Sequence, residues 1–387
     1  MDLPQWLNYA AFAGGLAMYL TVMADVFITT ISLHGGGPLT TWLLRLSHRL
    51  LASSAGGGHP NAYARLVNGF ARYSNLLLTL TLFLAWFGLL LLSLTFLLLL
   101  APDAISGSGS EAVPTIWQRL YFAGASITTA GFGDYVPGTT RWQFFTVLMA
   151  TSGLVVSSLG VAYVINICGA ALQQRRAARH ITNCGTTVPS FLAAGWTGKD
   201  FTNLEPMLSS ITADILEHTE NHLAYPLVHY VRTDDIRDSL PSSIAVADEA
   251  LTVLLLDVPQ GLHPNPALVL GLRRAITAYL ESINTVYIVD GPSNAGTPEY
   301  PSVEFLSRFW EITPRRGLLQ LSDEERDGLE RRRCLLHSVV ESQGRTWEEA
   351  LLQAKPPEES YDVSLYRQLD VGPPAAVARL RELEAEV

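Results

Sequence analysis

Three long stretches of the chain are almost free of charged residues, and polar stretches separate them. They cover residues 6–33, 75–101 and 142–172, and Asp25 is the one charged residue inside them. Crossing about 30 Å of hydrocarbon takes about 20 residues of helix, so each stretch is long enough to span a bilayer. The pattern predicts three transmembrane helices, the first within residues 1–33.

The polar stretches predict how these helices are oriented. Residues 34–74 contain four arginines and no acid, and further arginines follow the third stretch at 175, 176 and 179. Arginine-rich short loops remain in the cytoplasm. We therefore expect a multi-pass cell-membrane protein with its N-terminus outside and its C-terminal half in the cytoplasm. Helical apolar spacing over residues 38–51 predicts an interfacial helix on the inner membrane surface, with an ordinary linker helix as the alternative.

Net charge divides the chain at the same place. Residues 1–171 carry a formal charge of +1 and residues 172–387 carry −11. The absence of a basic face disfavours nucleic acid as a partner, and three widely spaced cysteines exclude a disulfide framework. Residues 173–387 show mainly helical spacing, which predicts a cytoplasmic regulatory or assembly domain with one strand at 285–290. His218 and His222 have a spacing that could hold a metal, but no further ligand motif completes it, so we expect an ordinary polar helix face that is solvated. We expect the charge clusters at 324–333 to form a solvated face with intrahelical ion pairs.

The segment between the second and third stretches is apolar but too short to cross a bilayer. Residues 116–138 read IWQRLYFAGASITTAGFGDYVPG. Non-helical backbone at membrane depth is tolerated only where protein buries it or where it lines a water-filled path. Gly131 and Gly133 can adopt positive φ, which lets successive carbonyls point to one side and replace the water shell of a monovalent cation. We therefore expect this segment to re-enter the membrane.

This segment resembles the selectivity filter of the potassium-channel pore-loop family, whose pattern is Thr-Val-Gly-Tyr-Gly-Asp. Thr129, Gly131, Gly133 and Asp134 match it, Phe132 fills the aromatic position, and Ala130 departs from it. The resemblance covers positions 74–173. It implies an all-α membrane protein with a tetrameric pore-loop channel core and a mainly α-helical cytoplasmic C-terminal domain. The implied pore domain, 75–172, has an outer helix at 75–101, a pore helix at 117–128, a filter at 129–134 and an inner helix at 142–172.

The same resemblance implies a function and a set of site residues. The implied potassium-binding residues are Thr129, Ala130, Gly131, Phe132 and Gly133, and Asp134 would support the filter through Trp117 and Tyr121. We expect a homotetramer in the lipid bilayer that conducts potassium ions passively, without a cofactor or enzymatic activity, under an unidentified cytoplasmic regulator. The alternatives are a weakly selective monovalent cation channel, because of Ala130 and Phe132, and a non-conducting membrane-anchored sensor that uses the pore fold to oligomerise.

Four further residues in the membrane stretches are candidates for function. Gly153 and Gly160 either bend the inner helix at a gate or allow close packing. Asn166 either faces the cavity or gate or is a buried amide bonded to a neighbouring helix. Asp25 either senses pH or ions or pairs with a loop arginine such as Arg45 or Arg72, because a carboxylate inside a span needs a partner or water.

Overall fold

The computed structural model describes residues 5–32, 35–55, 74–107, 113–231, 233, 235–284 and 298–352. The chain divides into two compact units. We call residues 1–169 with 223–229 the membrane unit, and residues 170–222 with 230–387 the C-terminal unit. Both units are built almost entirely from helices, which confirms the predicted all-α class.

The membrane unit is organised around long apolar helices. Its helices are α1 (Gln5–Ile31), α2 (Pro38–Ala55), α3 (Ser74–Leu98), α4 (Ile116–Ile127) and α5 (Thr140–Cys184), whose last residues belong to the C-terminal unit. The segments Tyr9–Ile31, Leu77–Leu98 and Thr140–Cys184 are long and apolar enough to cross a membrane, as predicted. The inner helix was expected to end at 172, but α5 continues without a break for another three turns.

Two short strands flank α4, and the hydrophobic pattern did not predict them. After α3, a 3-10 turn at Pro102–Ala104 leads into β1 (Ile105–Gly107), which pairs antiparallel with β2 (Tyr135–Pro137). The Gly138 amide continues this pairing by donating to the Ala104 carbonyl at 3.2 Å. The pairing ties the backbone that follows the glycine-spaced motif to the end of α3.

The C-terminal unit contains shorter helices. They are α6 (Val188–Gly195), α7 (Leu204–Ala224), α8 (Leu240–Asp257), α9 (Pro266–Asn284), α10 (Glu304–Trp310), α11 (Asp323–Ser342) and α12 (Trp347–Leu352). Helix α7 stops before Pro226, which cannot donate a helical hydrogen bond. Helices α11 and α12 are separated at Gly344, where φ is 77°. The strand expected at 285–290 lies outside the described residues.

Helix α8 forms the centre of the C-terminal unit and carries two buried acids. Asp248 accepts from Arg332 at 2.7 and 2.9 Å, and Glu249 accepts from Arg333 at 2.6 Å. Arg333 is only 4% exposed. The expectation that these arginines lie on a solvated face was therefore wrong for Arg332 and Arg333, because α11 packs against α8 and its arginines pair across that contact.

The two histidines of α7 are also buried rather than solvated. His218 and His222 are 2% and 4% exposed, and the His218 ring lies 5.6 Å from the Tyr279 ring of α9. Loss of solvent lowers the pKa of His218 to about 3 and the pKa of His222 to about 4. Both imidazoles are therefore neutral in the folded protein at pH 7. The expected solvated face is in fact part of the core.

Candidate functional site

Helix α4 is fixed at both ends by its own sequence. At its start, the Thr115 side chain accepts from the Gln118 amide, while the Thr115 amide donates to Gln118 Oε1 at 2.7 Å. This reciprocal capping box fixes the first residue of the helix. At its end, the Thr128 amide donates to the Gly124 carbonyl at 3.1 Å. The end of this short helix therefore fixes the position at which the glycine-spaced motif begins.

The sign of φ alternates from residue to residue along the backbone after α4. Thr129, Gly131 and Gly133 have φ values of 55°, 59° and 84°, whereas Ala130 and Phe132 are not among the positive-φ residues. Alternation of this kind lets consecutive carbonyls point to the same side instead of opposite sides. The positive φ of Thr129 has no glycine signal in the sequence. It is a strained conformation for a β-branched residue, and such strain gathers at functional sites.

The segment with alternating φ is exposed on the surface of the single chain. Residues 128–134 are all exposed, and the Phe132 side chain is 67% exposed. The start of the segment is anchored, because the Thr129 and Ala130 amides donate to the Ser126 and Ala125 carbonyls at 3.1 and 2.9 Å. An exposed run of backbone between helices of this apolar character needs further protein or water around it.

One of the two expected partners of Asp134 is in place. The Tyr121 hydroxyl donates to Asp134 Oδ2 at 2.7 Å, and the Tyr121 ring stacks on Phe132 with centroids 6.2 Å apart. Trp117 is 74% exposed and makes no hydrogen bond to Asp134 within the described chain. Within one chain, Tyr121 rather than Trp117 therefore braces the outer end of the segment.

Arg119 is a site residue that the sequence analysis missed. This residue of α4 is only 4% exposed, and its guanidinium donates to backbone carbonyls at the end of α3 and just beyond it. The Ala101 carbonyl accepts at 3.0 Å, the Pro102 carbonyl at 3.4 Å, and the Leu98 carbonyl also accepts. These carbonyls have no partner in the α3 ladder, so Arg119 caps α3 and ties it to α4. A lone arginine in an apolar re-entrant segment was the available signal.

Gly153 and Gly160 of α5 lie where α5 closely approaches other helices. A Cβ at Gly153 would overlap the Ile127 carbonyl at the end of α4, and one at Gly160 would lie 2.6 Å from Phe83 of α3. Close packing, one of the two predicted roles, accounts for both glycines. α5 is continuous through both positions. A hinge role for either glycine stays a prediction.

Of the two roles expected for Asn166, a place at the cavity or gate stays a prediction, and Asp25 has partners other than an arginine. Asn166 is exposed on α5, so within the described chain it is not a buried amide. Asp25 is fully buried, and it accepts hydrogen bonds from the start of α2 and from Trp86 rather than pairing with Arg45. The other arginine considered, Arg72, lies outside the described residues. Two backbone amides, the Thr40 hydroxyl and an indole take the place of the expected arginine.

Comparison with known proteins agrees with the geometry. A family model described as ion channel matches residues 76–170, which run from α3 through α4 and the alternating segment into α5. An uncharacterized membrane protein, YdjJ of Bacillus subtilis (strain 168), is 26% identical over 347 residues, covering 88% of this chain and 96% of that protein. No solved structure gave a significant match. Residues 76–170 are therefore similar to an ion-channel domain, within a multi-pass membrane protein.

Proposed function

We propose that this chain is the subunit of a homotetrameric potassium channel whose selectivity filter is formed by residues 129–133. The observation that carries the proposal is the alternating sign of φ at Thr129, Gly131 and Gly133, directly after the pore helix. Carbonyls aligned in this way replace the hydration shell of a potassium ion without any side-chain charge. In this proposal, α3 is the outer helix, α4 the pore helix and α5 the inner helix.

The exposure of the filter supports the tetramer. One chain offers one strand of carbonyls along residues 128–134, and this strand has no cover within the described chain. At membrane depth, open backbone is stable only against protein or along a water-filled path. A ring of identical subunits around an axis supplies both, and the pore-loop resemblance sets the number at four.

The orientation in the membrane follows from the arginines. Residues 34–74 and 175–179 both belong on the cytoplasmic side by the positive-inside rule. The C-terminal unit is then cytoplasmic and acts as the regulatory or assembly domain, while the filter opens toward the outside.

Two residues bear on how selective the filter is. Ala130 is smaller than the family's usual residue, and Phe132 lacks a hydroxyl that would add a hydrogen bond around the filter. Against this, Tyr121 supports the filter through both Asp134 and Phe132. We propose potassium selectivity on the strength of this support, and a weakly selective monovalent cation channel is the competing function.

The test is a flux measurement on purified protein in lipid vesicles with potassium on one side and sodium on the other. The proposal predicts a reversal potential close to that of potassium. Gly131→Ala should abolish the current, because a Cβ at φ 59° strains the backbone and turns a carbonyl away. Gly271→Ala is the matched control, because a Cβ at that helical position meets nothing within 4 Å.

Each other outcome has a distinct meaning. A reversal potential near zero would establish the weakly selective channel. Normal current through Gly131→Ala would exclude residues 129–133 as the filter. Absence of current in every vesicle, with tetramers still formed, would favour the non-conducting scaffold.

A further inference from the structure

A cavity of about 280 Å³ lies beside α11 in the C-terminal unit. Its walls come from α11, from the 3-10 turn at Gly317–Gln320 and from the chain around residue 300. This volume is at the lower end of the range for ligand sites, so the cavity suits a small molecule. The lining combines apolar, aromatic and basic side chains, which include Tyr300, Leu318, Leu319, Arg326, Leu329 and Arg333.

The 3-10 turn that forms one wall is held firmly against α8. A Cβ at Gly317 would overlap the Leu256 carbonyl, and the Arg315 amide donates to the Asp257 carbonyl at 2.8 Å. Arg316, between these two contacts, has a φ of 52°, which is uncommon for a residue with a side chain. Such strain persists only where the surroundings enforce it, and it gathers at ligand sites. This wall is therefore formed before any ligand arrives.

The wall around residue 300 is fixed by Arg333. Its guanidinium donates to the Pro298 carbonyl at 2.8 Å and to the Glu299 carbonyl at 2.7 Å, and its central carbon lies 5.6 Å from the centre of the Tyr300 ring. Glu249 accepts from the same guanidinium at 2.6 Å and balances its charge. Arg333 is therefore a structural part of the wall and not a free cation.

Arg326 is a lining cation whose charge is not balanced. It is half-buried and forms no ion pair with any described residue. Within the described part of the chain, its one side-chain hydrogen bond runs from Nη2 to the Leu318 carbonyl and is long, at 3.5 Å. Its Nε is buried without a partner among the same residues. Because this charge is partly removed from water without compensation, the site favours an anion.

The other lining residues restrict the kind of anion. A guanidinium offers two parallel N–H groups, which match the two oxygens of a carboxylate. Glu330, one turn after Arg326, is exposed and also lines the cavity, so its charge repels a doubly charged phosphate. Leu319 is 72% exposed although it belongs to an otherwise apolar part of the wall with Leu329. An apolar group bound there would cover it.

We propose that this cavity binds a small monocarboxylate with a short apolar or aromatic tail. The carboxylate pairs with Arg326, and the tail lies against Leu319 and Leu329 beside the Tyr300 ring. All of these residues belong to the C-terminal unit, so the binding does not depend on the proposed channel function.

The test is hydrogen exchange of the full chain in lipid nanodiscs, measured by mass spectrometry on peptides from residues 317–333. The probe is phenylacetate, which joins a carboxylate to an aromatic ring. A molecule of this size binds a matched site with a Kd on the order of 1 mM. At about 5 mM, phenylacetate should slow the exchange of these amides by about sixfold. Phenylacetamide, which has the same shape without the charge, should give no protection.

Two variants and a control locate the binding. Arg326→Gln removes the guanidinium and should abolish the protection. Arg331→Gln is the matched control, because Arg331 is an exposed arginine of the same helix that does not line the cavity. Leu319→Glu should also reduce the protection, because a second carboxylate at the apolar wall repels the probe. The exposure of Leu319 makes this variant compatible with folding, and exchange of the α8 amides without probe verifies folding in each case.

Each contrary result overturns the proposal in its own way. Undiminished protection in Arg326→Gln, or equal protection by phenylacetamide, would show that no carboxylate pairs with this arginine. Stronger protection by phenyl phosphate than by phenylacetate would assign the cavity to phosphate esters instead. Absence of protection by phenylacetate in the natural chain would show that the cavity does not take acids of this class. If Arg326→Gln fails to fold, Leu319→Glu and the comparison with phenylacetamide decide.

Discussion

The two units of this chain differ in the polar groups that they leave uncovered. The C-terminal unit buries charged side chains and pairs them internally, as Asp248 does with Arg332 and Glu249 does with Arg333. The membrane unit leaves the backbone of residues 128–134 exposed, although the helices around it are apolar. The C-terminal unit therefore pairs its buried charges within itself, whereas in the proposed function further copies and ions complete the membrane unit.

The arginines at the end of α5 show the same internal pairing. Arg175 binds Asp238 at 2.9 Å, and Arg176 binds Asp214 at 3.1 Å. Both acids belong to the C-terminal unit. Because the arginines are more than half exposed, each pair contributes little stability by itself, but together the pairs fix the orientation of the helix end. The last residues of α5 therefore belong to the packed C-terminal unit.

We expect acid to destabilise the C-terminal unit before the membrane unit. The pKa values of His218 and His222 are about 3 and about 4 in the folded chain, below the ordinary value of 6.5. The unfolded chain therefore takes up protons first, and stability is lost as pH falls from 6.5 toward 3. Between pH 7 and pH 5 we expect a loss of roughly 1–2 kcal/mol for each imidazole. This loss of unfolding free energy is measured by hydrogen exchange of the α7 and α9 amides in the full chain at both pH values.

Single variants test whether His218 causes this pH dependence of stability. His218→Phe should reduce the loss, because the phenyl ring fills the space beside Tyr279 without binding a proton. His263→Gln is the control, because His263 is partly exposed and a glutamine amide can also donate to the Val258 carbonyl. Asp235, whose pKa is lowered to about 2 by Arg237, loses its stabilisation only below about pH 4 and does not contribute in this interval. An unchanged pH dependence in His218→Phe would refute the assignment.

In the membrane unit, removal of one hydroxyl beside the proposed filter should have a smaller effect. Tyr121→Phe removes the hydroxyl that donates to Asp134 and keeps the ring that stacks on Phe132. Loss of one hydrogen bond to a charged group costs less at an exposed site such as this one than in a buried core. We expect a lower ratio of potassium to sodium permeability and unchanged hydrogen exchange in the C-terminal unit. Tyr9→Phe, at an exposed tyrosine of α1, is the control, and an unchanged ratio would show that Tyr121 does not support the filter.

The features predictable from sequence were those with a periodic or local cause. Apolar stretches of sufficient length predicted the spans, and the glycines predicted positive φ at 131 and 133. The positive φ of Thr129 was not predictable, because a β-branched residue takes that conformation only when the anchored end of α4 forces it. The position of Gly153 against Ile127 is likewise a fact of packing, and the spacing alone allowed either a hinge or a contact.

Long-range polar partners were the other part that the sequence could not predict. Arg332 and Arg333 bond to acids 84 positions away, so a local pattern of charges suggested a solvated face. Arg119 bonds to carbonyls of α3, which have no side-chain signature. Asp25 was correctly identified as a carboxylate that needs partners, but its partners are backbone amides and an indole rather than an arginine.

The most direct test of the central claim is an experimental structure of the assembled protein in rubidium, whose anomalous scattering marks its position. Rubidium is a close chemical substitute for potassium. We expect a column of ion density on a four-fold axis, with each ion surrounded by carbonyls of residues 129–133. Assembled protein with no ion density there, or with those carbonyls turned away from the axis, would contradict it.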